Sequence, residues 1–170
     1  MPKGLKETSS VVAVSALVGE TAANTFTQAQ VDLNLDPLNN EVFVVLAIDL
    51  NLTPPDAVAA TDTSTRGSVS TTSRTALGTI ADSNVLAESS LNIAAAGFVD
   101  GGVGFTRLAG ETPTAMLDYI GIIATNDFFI QIEGANNIAP KFGTCRVWGY
   151  RARADASIYA ALVQSEVLSS

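Results

Sequence analysis

The stretch EVFVVLAIDLNL, residues 41–52, alternates between two kinds of side chain along its whole length. Its odd positions mix acidic and amide side chains with apolar ones, whereas its even positions are all aliphatic. The even positions are Val42, Val44, Leu46, Ile48, Leu50 and Leu52. Because successive side chains of a strand point to opposite faces, this period of two predicts one long strand with its even face in the core. The prolines at 54 and 55 end it.

Two further stretches carry the same alternation. Residues 28–36, QAQVDLNLD, read as a half-buried strand, and PLNN at 37–40 supplies the turn that leads into 41–52. Residues 118–124, DYIGIIA, and 128–134, FFIQIEG, are separated by three residues. Two short apolar runs joined by a short polar loop predict a hairpin.

Turn signals and threonine content mark two more β segments. The stretch GFVDGGVGF predicts a tight hairpin flanked by Phe98 and Phe105, since Asp-Gly-Gly supplies positive φ angles. Residues 61–75 are rich in Ser and Thr and predict either an exposed edge strand or a long loop. Residues 145–150 predict another strand. Many short strands with loop signals between them favour a β-sandwich or a barrel.

The two ends of the chain differ from this pattern. One short helix is predicted at 154–168, with Asp155 as its N-cap. A stripe follows it, formed by Ile158, Tyr159, Leu162, Val163 and Glu166, of which four are apolar. Residues 1–23 are apolar, rich in Ser and Ala, and without a clear partner strand. We expect them to form an N-terminal arm that a neighbouring copy orders, within a single domain of 170 residues.

The composition limits what the surface can do. Charged residues make up 15% of the chain and hydrophobic residues 47%, against about 25% charged in an average domain. No apolar run reaches about 18 residues, so no transmembrane segment is predicted. The apolar side chains must be buried in the domain or against other copies. The net charge of -8 argues against nucleic-acid binding by counterion release.

Candidate chemistry is sparse. The chain has no histidine, which excludes the usual Ser-His-Asp and Cys-His devices and histidine metal centres. A single cysteine excludes an internal disulfide and a thiolate zinc site. Asp32, Asn34 and Asp36 match the first ligand positions of a calcium loop, but Pro37 and Phe43 stand where glycine and glutamate are required. We therefore predict no catalytic residue, no cofactor and no metal, and we expect that the protein is not an enzyme.

A basic cluster lies beside the only tryptophan. Its members are Arg146, Trp148, Tyr150, Arg151 and Arg153. Alternation places Arg146, Trp148 and Tyr150 on one strand face, outward or toward the helix, with Cys145, Val147 and Gly149 in the core. A nucleic-acid stacking platform and a local structural role, with Arg153 near Asp155, are the alternatives. We predict a subunit interface, because Arg and Trp are enriched at interface hot spots.

The strands in VDLNLDPLNNEVFVVLAIDLNL and DYIGIIATNDFFIQIEG, the N-terminal arm and the C-terminal strand and helix together resemble the single jelly-roll capsid proteins of non-tailed icosahedral viruses. The resemblance implies an antiparallel, jelly-roll-like β-sandwich that self-assembles as a coat subunit in the virion. Its partners would be copies of itself and other virion proteins.

The chain departs from many capsid families because it lacks a strongly basic arm for genome binding. We therefore expect no direct sequence-specific contact with nucleic acid. The alternatives are a tail-tube or capsid-decoration protein, or a carbohydrate-binding or adhesive β-sandwich.

Overall fold

The computed structural model describes residues 3–107 and 117–168, except for the side chain of Arg107. The described residues form ten strands in two five-stranded sheets, a short 3-10 turn at Pro37–Asn39, and one helix, α1 (Ala156–Leu168). Every strand pairing is antiparallel. The prediction of an all-β sandwich with one C-terminal helix is confirmed, although the helix begins at Ala156 and not at 154.

The strands are divided between two sheets. Sheet A holds β1 (Leu5–Glu7), β2 (Val12–Gly19), β4 (Glu41–Leu52), β8 (Gly121–Ile123) and β10 (Phe142–Ala154). Both β1 and β2 pair with β10, which is followed by β4 and then β8. Sheet B holds β3 (Thr27–Asp32), β5 (Thr63–Ser70), β6 (Val85–Ala94), β7 (Val103–Arg107) and β9 (Asp127–Ala135). Its order is β3-β9-β5-β6-β7.

The pairings are nested along the chain. The outermost pair is β2 with β10, which encloses β3 with β9, then β4 with β8, and finally β5 with β6. Successive pairs fall alternately in sheet A and sheet B. A double-sheet fold of eight strands in this arrangement is a jelly-roll-like sandwich, with β1 and β7 as additions.

A bulge in β4 divides its apolar side chains between two cores. Gly149 pairs with Val45 and Trp148 with Ala47, which leaves Leu46 as an extra residue. An extra residue shifts the alternation by one. The core between the sheets therefore receives Phe43 and Val45 before the bulge and Ile48 and Leu50 after it. The core beneath α1 receives Val42 and Val44.

The prediction that one even face fills the sandwich core is therefore only half right. Val42, Val44, Ile48 and Leu50 are buried and Leu46 and Leu52 half-buried, but they do not share one core. Two odd positions, Phe43 and Val45, are as buried as the even ones. Residues 41–52 contain no glycine or proline to mark the bulge.

The prediction of an N-terminal arm without a partner strand is wrong. All of β2 pairs with β10, from Val12 opposite Gly149 to Gly19 opposite Phe142. The short strand β1 pairs with the far end of β10, from Leu5 opposite Ala154. At 13 residues, β10 is long enough to accept both. Val18 is buried in the inter-sheet core, and Val14 and Ala16 pack against it.

The first predicted hairpin is wrong in its pairing, and the second has a longer loop than predicted. The strand β8 pairs with β4 in sheet A, whereas β9 pairs with β3 and β5 in sheet B. The three residues between them cross from one sheet to the other. The second hairpin exists between β6 and β7, but its first strand ends at Ala94 and not beside Phe98. Asp62 accepts hydrogen bonds from the amides of Ala95 and Ala96, which start the loop.

Residues 63–70 of the threonine-rich stretch form a central strand and not an edge strand or a loop, while 71–75 lie in the loop that follows. Its strand, β5, lies between β9 and β6 and is largely buried. On its outer face Ser68 donates to Gln131, which donates in turn to Ser70 and Gln28. Gly78, in the loop between β5 and β6, donates its amide to Ser68. The small polar side chains are buried because they hydrogen-bond to one another and to this loop.

Candidate functional site

The five residues predicted as an interface all lie on β10, but on different faces. Cys145 and Val147 face the core between the sheets, as the alternation predicts, and Gly149 is also buried. Arg146, Trp148 and Tyr150 point to the outer face of sheet A, while Arg151 and Arg153 share the parity of the inner face. The cluster in the sequence is therefore not one cluster in space.

One part of the outer face of sheet A lies outside the area that α1 covers. We call it the open face and define it by three neighbouring strands, β2, β10 and β4. Its side chains are Ala13, Ser15, Leu17, Thr144, Arg146, Trp148, Ala47, Asp49 and Asn51. A shallow depression of about 630 Å³ lies over it. At one end Leu17 is 64% exposed and the neighbouring Phe142 is 50% exposed.

Arg146 lies at the centre of the open face. Its guanidinium carbon is 5.9 Å from the centroid of the Trp148 ring, and its Nε donates to Ser15 Oγ over 3.2 Å. Asp49 is its cross-strand neighbour on β4 and accepts a hydrogen bond from Asn51 Nδ2. Within the described part of the chain, neither Arg146 nor Asp49 forms a salt bridge. The open face thus presents one cation and one anion side by side.

Tyr150 belongs to the core beneath α1. It is buried against Val42, Val44 and Ala152, with the apolar stripe of the helix packed over them. Burial raises the pKa of its phenol, and the carboxylates of Glu7 and Asp118 act in the same direction. Its ring is therefore covered within its own chain.

Arg151 and Arg153 bind segments of their own chain. The guanidinium of Arg151 donates to the carbonyls of Leu33 and Asn34 and lies 3.3 Å from a carboxylate oxygen of Glu41. Arg153 donates to the Asn39 side chain. Both arginines thus hold the connection between β3 and β4 against β10. Their contact with another subunit stays a prediction.

The far end of the sandwich contains a polar cluster that the sequence analysis missed. The buried carboxylate of Glu20 accepts the amides of Thr25, Gly134 and Lys141. Asn24 and Asn137 exchange two further hydrogen bonds between side chain and backbone. These contacts join the loop after β2 to the ends of β9 and β10.

A salt bridge completes this cluster. Lys141 Nζ lies 2.6 Å from Asp56 Oδ1, and the other Asp56 oxygen accepts the amides of Ile138 and Ala139. The hydrogen bond from Lys141 and those from the two amides hold the pKa of Asp56 below its usual value. Asp56 and Lys141 are 85 positions apart, so no local spacing could reveal the pair. Because these groups bind one another and backbone amides, the cluster connects the loops at this end of the sandwich.

The remaining candidate chemistry is also occupied or buried. Asp36 accepts the amide of Leu38 and the Asn39 side chain, so it caps the 3-10 turn. Among the described residues no group of three or more His, Cys, Asp or Glu side chains could hold a metal ion. Burial raises the pKa of the Cys145 thiol to about 12. No described helix has the length and apolar character needed to cross a membrane.

Comparison with known proteins gives no family. No protein-family model matches the sequence, and no curated protein matches it. The fold and the surfaces that it leaves uncovered are therefore the observations that bear on function.

Proposed function

We propose that this chain is a self-assembling structural subunit, the coat protein of an icosahedral viral shell. The nested strand pairing carries the proposal, because viral coat domains are one of the main groups of double-sheet jelly rolls. Lectin domains and cupins share the architecture, so the surface has to distinguish between them.

The side chains favour a structural protein over a cupin-like enzyme. Histidine is the commonest protein ligand for metal ions and a common general base, and this chain has no histidine. The buried carboxylates of the described residues bind backbone amides, as Glu20 does at one end of the sandwich and Glu166 does on α1. Groups held in this way connect segments of the fold and are not available to a substrate.

The exposed apolar side chains favour association. The β6–β7 hairpin carries four of them, each at least 50% exposed: Phe98 and Val99 in its loop, and Val103 and Phe105 on β7. Leu17 and Phe142 form a second group at the open face. Exposed apolar patches on a chain with only 15% charged residues are typical of surfaces that meet other proteins.

The contacts expected between subunits do not include an N-terminal arm that pairs with a neighbouring copy. Since β1 and β2 pair with β10 of their own chain, the N-terminal segment already has its partner. In the proposed shell, copies meet through outer faces and loops, and other virion proteins contact the genome.

The test is the size and shape of the particles formed by the purified full chain. We expect light scattering and negative-stain microscopy to show closed particles of uniform diameter as the protein concentration rises. Open tubes would indicate a tail-tube protein, and a monomer that binds only preformed shells would indicate a decoration protein. A chain that stays monomeric at every concentration and binds glycans would contradict the proposal and support the adhesive alternative.

A further inference from the structure

We infer that the open face of sheet A packs against the open face of a second copy, about a two-fold axis that runs parallel to the strands between β10 and β4. The inference rests on the proposed function, because it names the partner and the geometry of one subunit contact. The partner is a second copy of this chain, and the contact is isologous.

Strand register determines which side chains meet. Three outward pairs join β10 to β4: Thr144 with Asn51, Arg146 with Asp49, and Trp148 with Ala47. A two-fold axis between the two strands exchanges their positions across the interface. Each β10 side chain of one copy then lies opposite the β4 member of the same pair in the other copy.

Charge complementarity selects this axis. Arg146 of each copy faces Asp49 of the other, which gives two symmetric guanidinium–carboxylate contacts. Both groups lack a salt bridge within the described part of their own chain, so neither has to leave an ionic partner. A two-fold axis perpendicular to the strands, at the level of the Arg146–Asp49 pair, would place Arg146 of one copy opposite Arg146 of the other and Asp49 opposite Asp49. Like charges face to face oppose that arrangement.

Size complementarity agrees with the charges. The half-buried Trp148 ring of one copy lies over Ala47 of the other, so a large side chain meets a small one in both directions. At the other end Thr144 meets Asn51, a hydroxyl beside an amide. Flat sheet faces pack in this aligned manner about 10 Å apart.

The area indicates how strong the contact is. With strands about 4.8 Å apart and a rise of about 3.3 Å per residue, the two opposed strands β10 and β4 over the length of 142–148 give a footprint of roughly 200 Å² per copy. Stable complexes bury about 800 Å² per partner. The contact is therefore weak on its own and becomes effective where several contacts act together.

The experiment is a charge exchange between two variants. Arg146→Glu alone places two acid–acid pairs at the axis, and Asp49→Arg alone places two arginine–arginine pairs there. A mixture of the two variants restores two opposite-charge pairs in each mixed contact. Arg66→Glu is the matched control, because Arg66 is exposed on sheet B and undergoes the same charge change.

We expect each single variant to raise the protein concentration needed for association by about tenfold or more at low salt, since like charges replace attractive pairs. The mixture should return close to the wild-type concentration, and the control should not change it. Sedimentation velocity measures association, and circular dichroism verifies that every variant is folded.

The outcomes separate this inference from the shell. If the wild type forms shells and the single variants form them equally well, or the mixture is no better than its components, the inference is overturned and the shell stands. If the wild type stops at a dimer that obeys the charge exchange, the inference holds and the shell proposal fails. A wild type that remains monomeric overturns both.

Discussion

Removing the Glu166 carboxylate should loosen the last turn of the C-terminal helix from the sandwich and lower the stability of the fold. Its two oxygens accept the amides of Ala124 and Thr125, each over 2.9 Å, and the side chain is 8% exposed. Glu166→Ala leaves both amides without these acceptors. An unpaired buried amide costs about 1–3 kcal/mol, and Thr125 is only half-buried, so we expect a loss of about 3 kcal/mol. For a chain of this size that corresponds to a drop in Tm of about 9 °C.

The assay combines unfolding with hydrogen exchange. Urea unfolding should show the loss of stability, and the amides of Ala124 and Thr125 should lose protection before the strands do. Gln164→Ala is the control, because Gln164 is exposed on the same helix and should change the stability by less than about 0.5 kcal/mol. Unchanged stability together with continued protection of both amides would refute the assigned role.

The same carboxyl predicts a pH dependence. Burial raises the pKa of Glu166 from its ordinary value of 4.5, although the two amide hydrogen bonds act in the opposite direction. The folded state therefore binds this proton more tightly than the unfolded state. The stability that this tighter proton binding adds is fully present below pH 4.5 and is lost as the pH rises through the raised pKa of Glu166. Wild type should lose stability over that interval relative to Glu166→Gln, and a constant difference would contradict the raised pKa.

Three further predictions concern other parts of the fold. Asp56→Asn should unfold at a higher pH than wild type in acid titrations. The hydrogen bond from Lys141 lowers the pKa of Asp56, so the carboxylate adds stability above its ordinary pKa of 3.8 and loses it as the pH falls through the lowered pKa. Coincident titration curves would contradict this. Gly149→Ala should lower the free energy of unfolding by about 2 kcal/mol in thermal unfolding, since a Cβ there would lie 2.3 Å from a backbone oxygen of β4. The control Gly104→Ala, whose Cβ would meet nothing within 4 Å, should be neutral. Equal effects of the two variants would contradict the crowding at Gly149. Cys145, with its pKa near 12, should react with a thiol reagent at pH 8 only after unfolding, and rapid reaction of the folded protein would show that it is accessible.

Local patterns predicted the strands better than their partners. The period of two located β4, and the alternation in residues 145–150 assigned the two faces of β10 correctly. The helix stripe was also correct, because a helix contacts its core through residues close in sequence. The bulge at Leu46 could not be predicted, since both neighbouring faces there are apolar and either register buries them.

The predicted strand pairing was wrong where the loop between two strands was short. Three residues between two apolar runs usually close a hairpin, but here they carry the chain from sheet A to sheet B. Asn126 stabilises this crossing, because its backbone and side-chain oxygens accept the amides of Leu33 and Leu35. A nested topology pairs strands that are far apart in the chain, so single-sequence patterns contain no signal for it. The candidate site was divided for a different and local reason, since Arg151 and Arg153 alternate with the other three residues along one strand, and α1 covers Tyr150.

The positions of the carboxylates bear on where two copies can meet. Glu20, Asp56, Asp62 and Glu166 each accept at least two backbone amides, so they hold loops and strand ends as well as adding to the net charge of -8. Copies with that charge repel one another, and the repulsion extends over a Debye length of about 10 Å at 0.1 M salt. The open face is locally neutral, because its only charged side chains are Arg146 and Asp49. Two copies that approach through this face bring opposite charges into contact, so the electrostatic opposition there is smaller than the net charge of -8 alone would give.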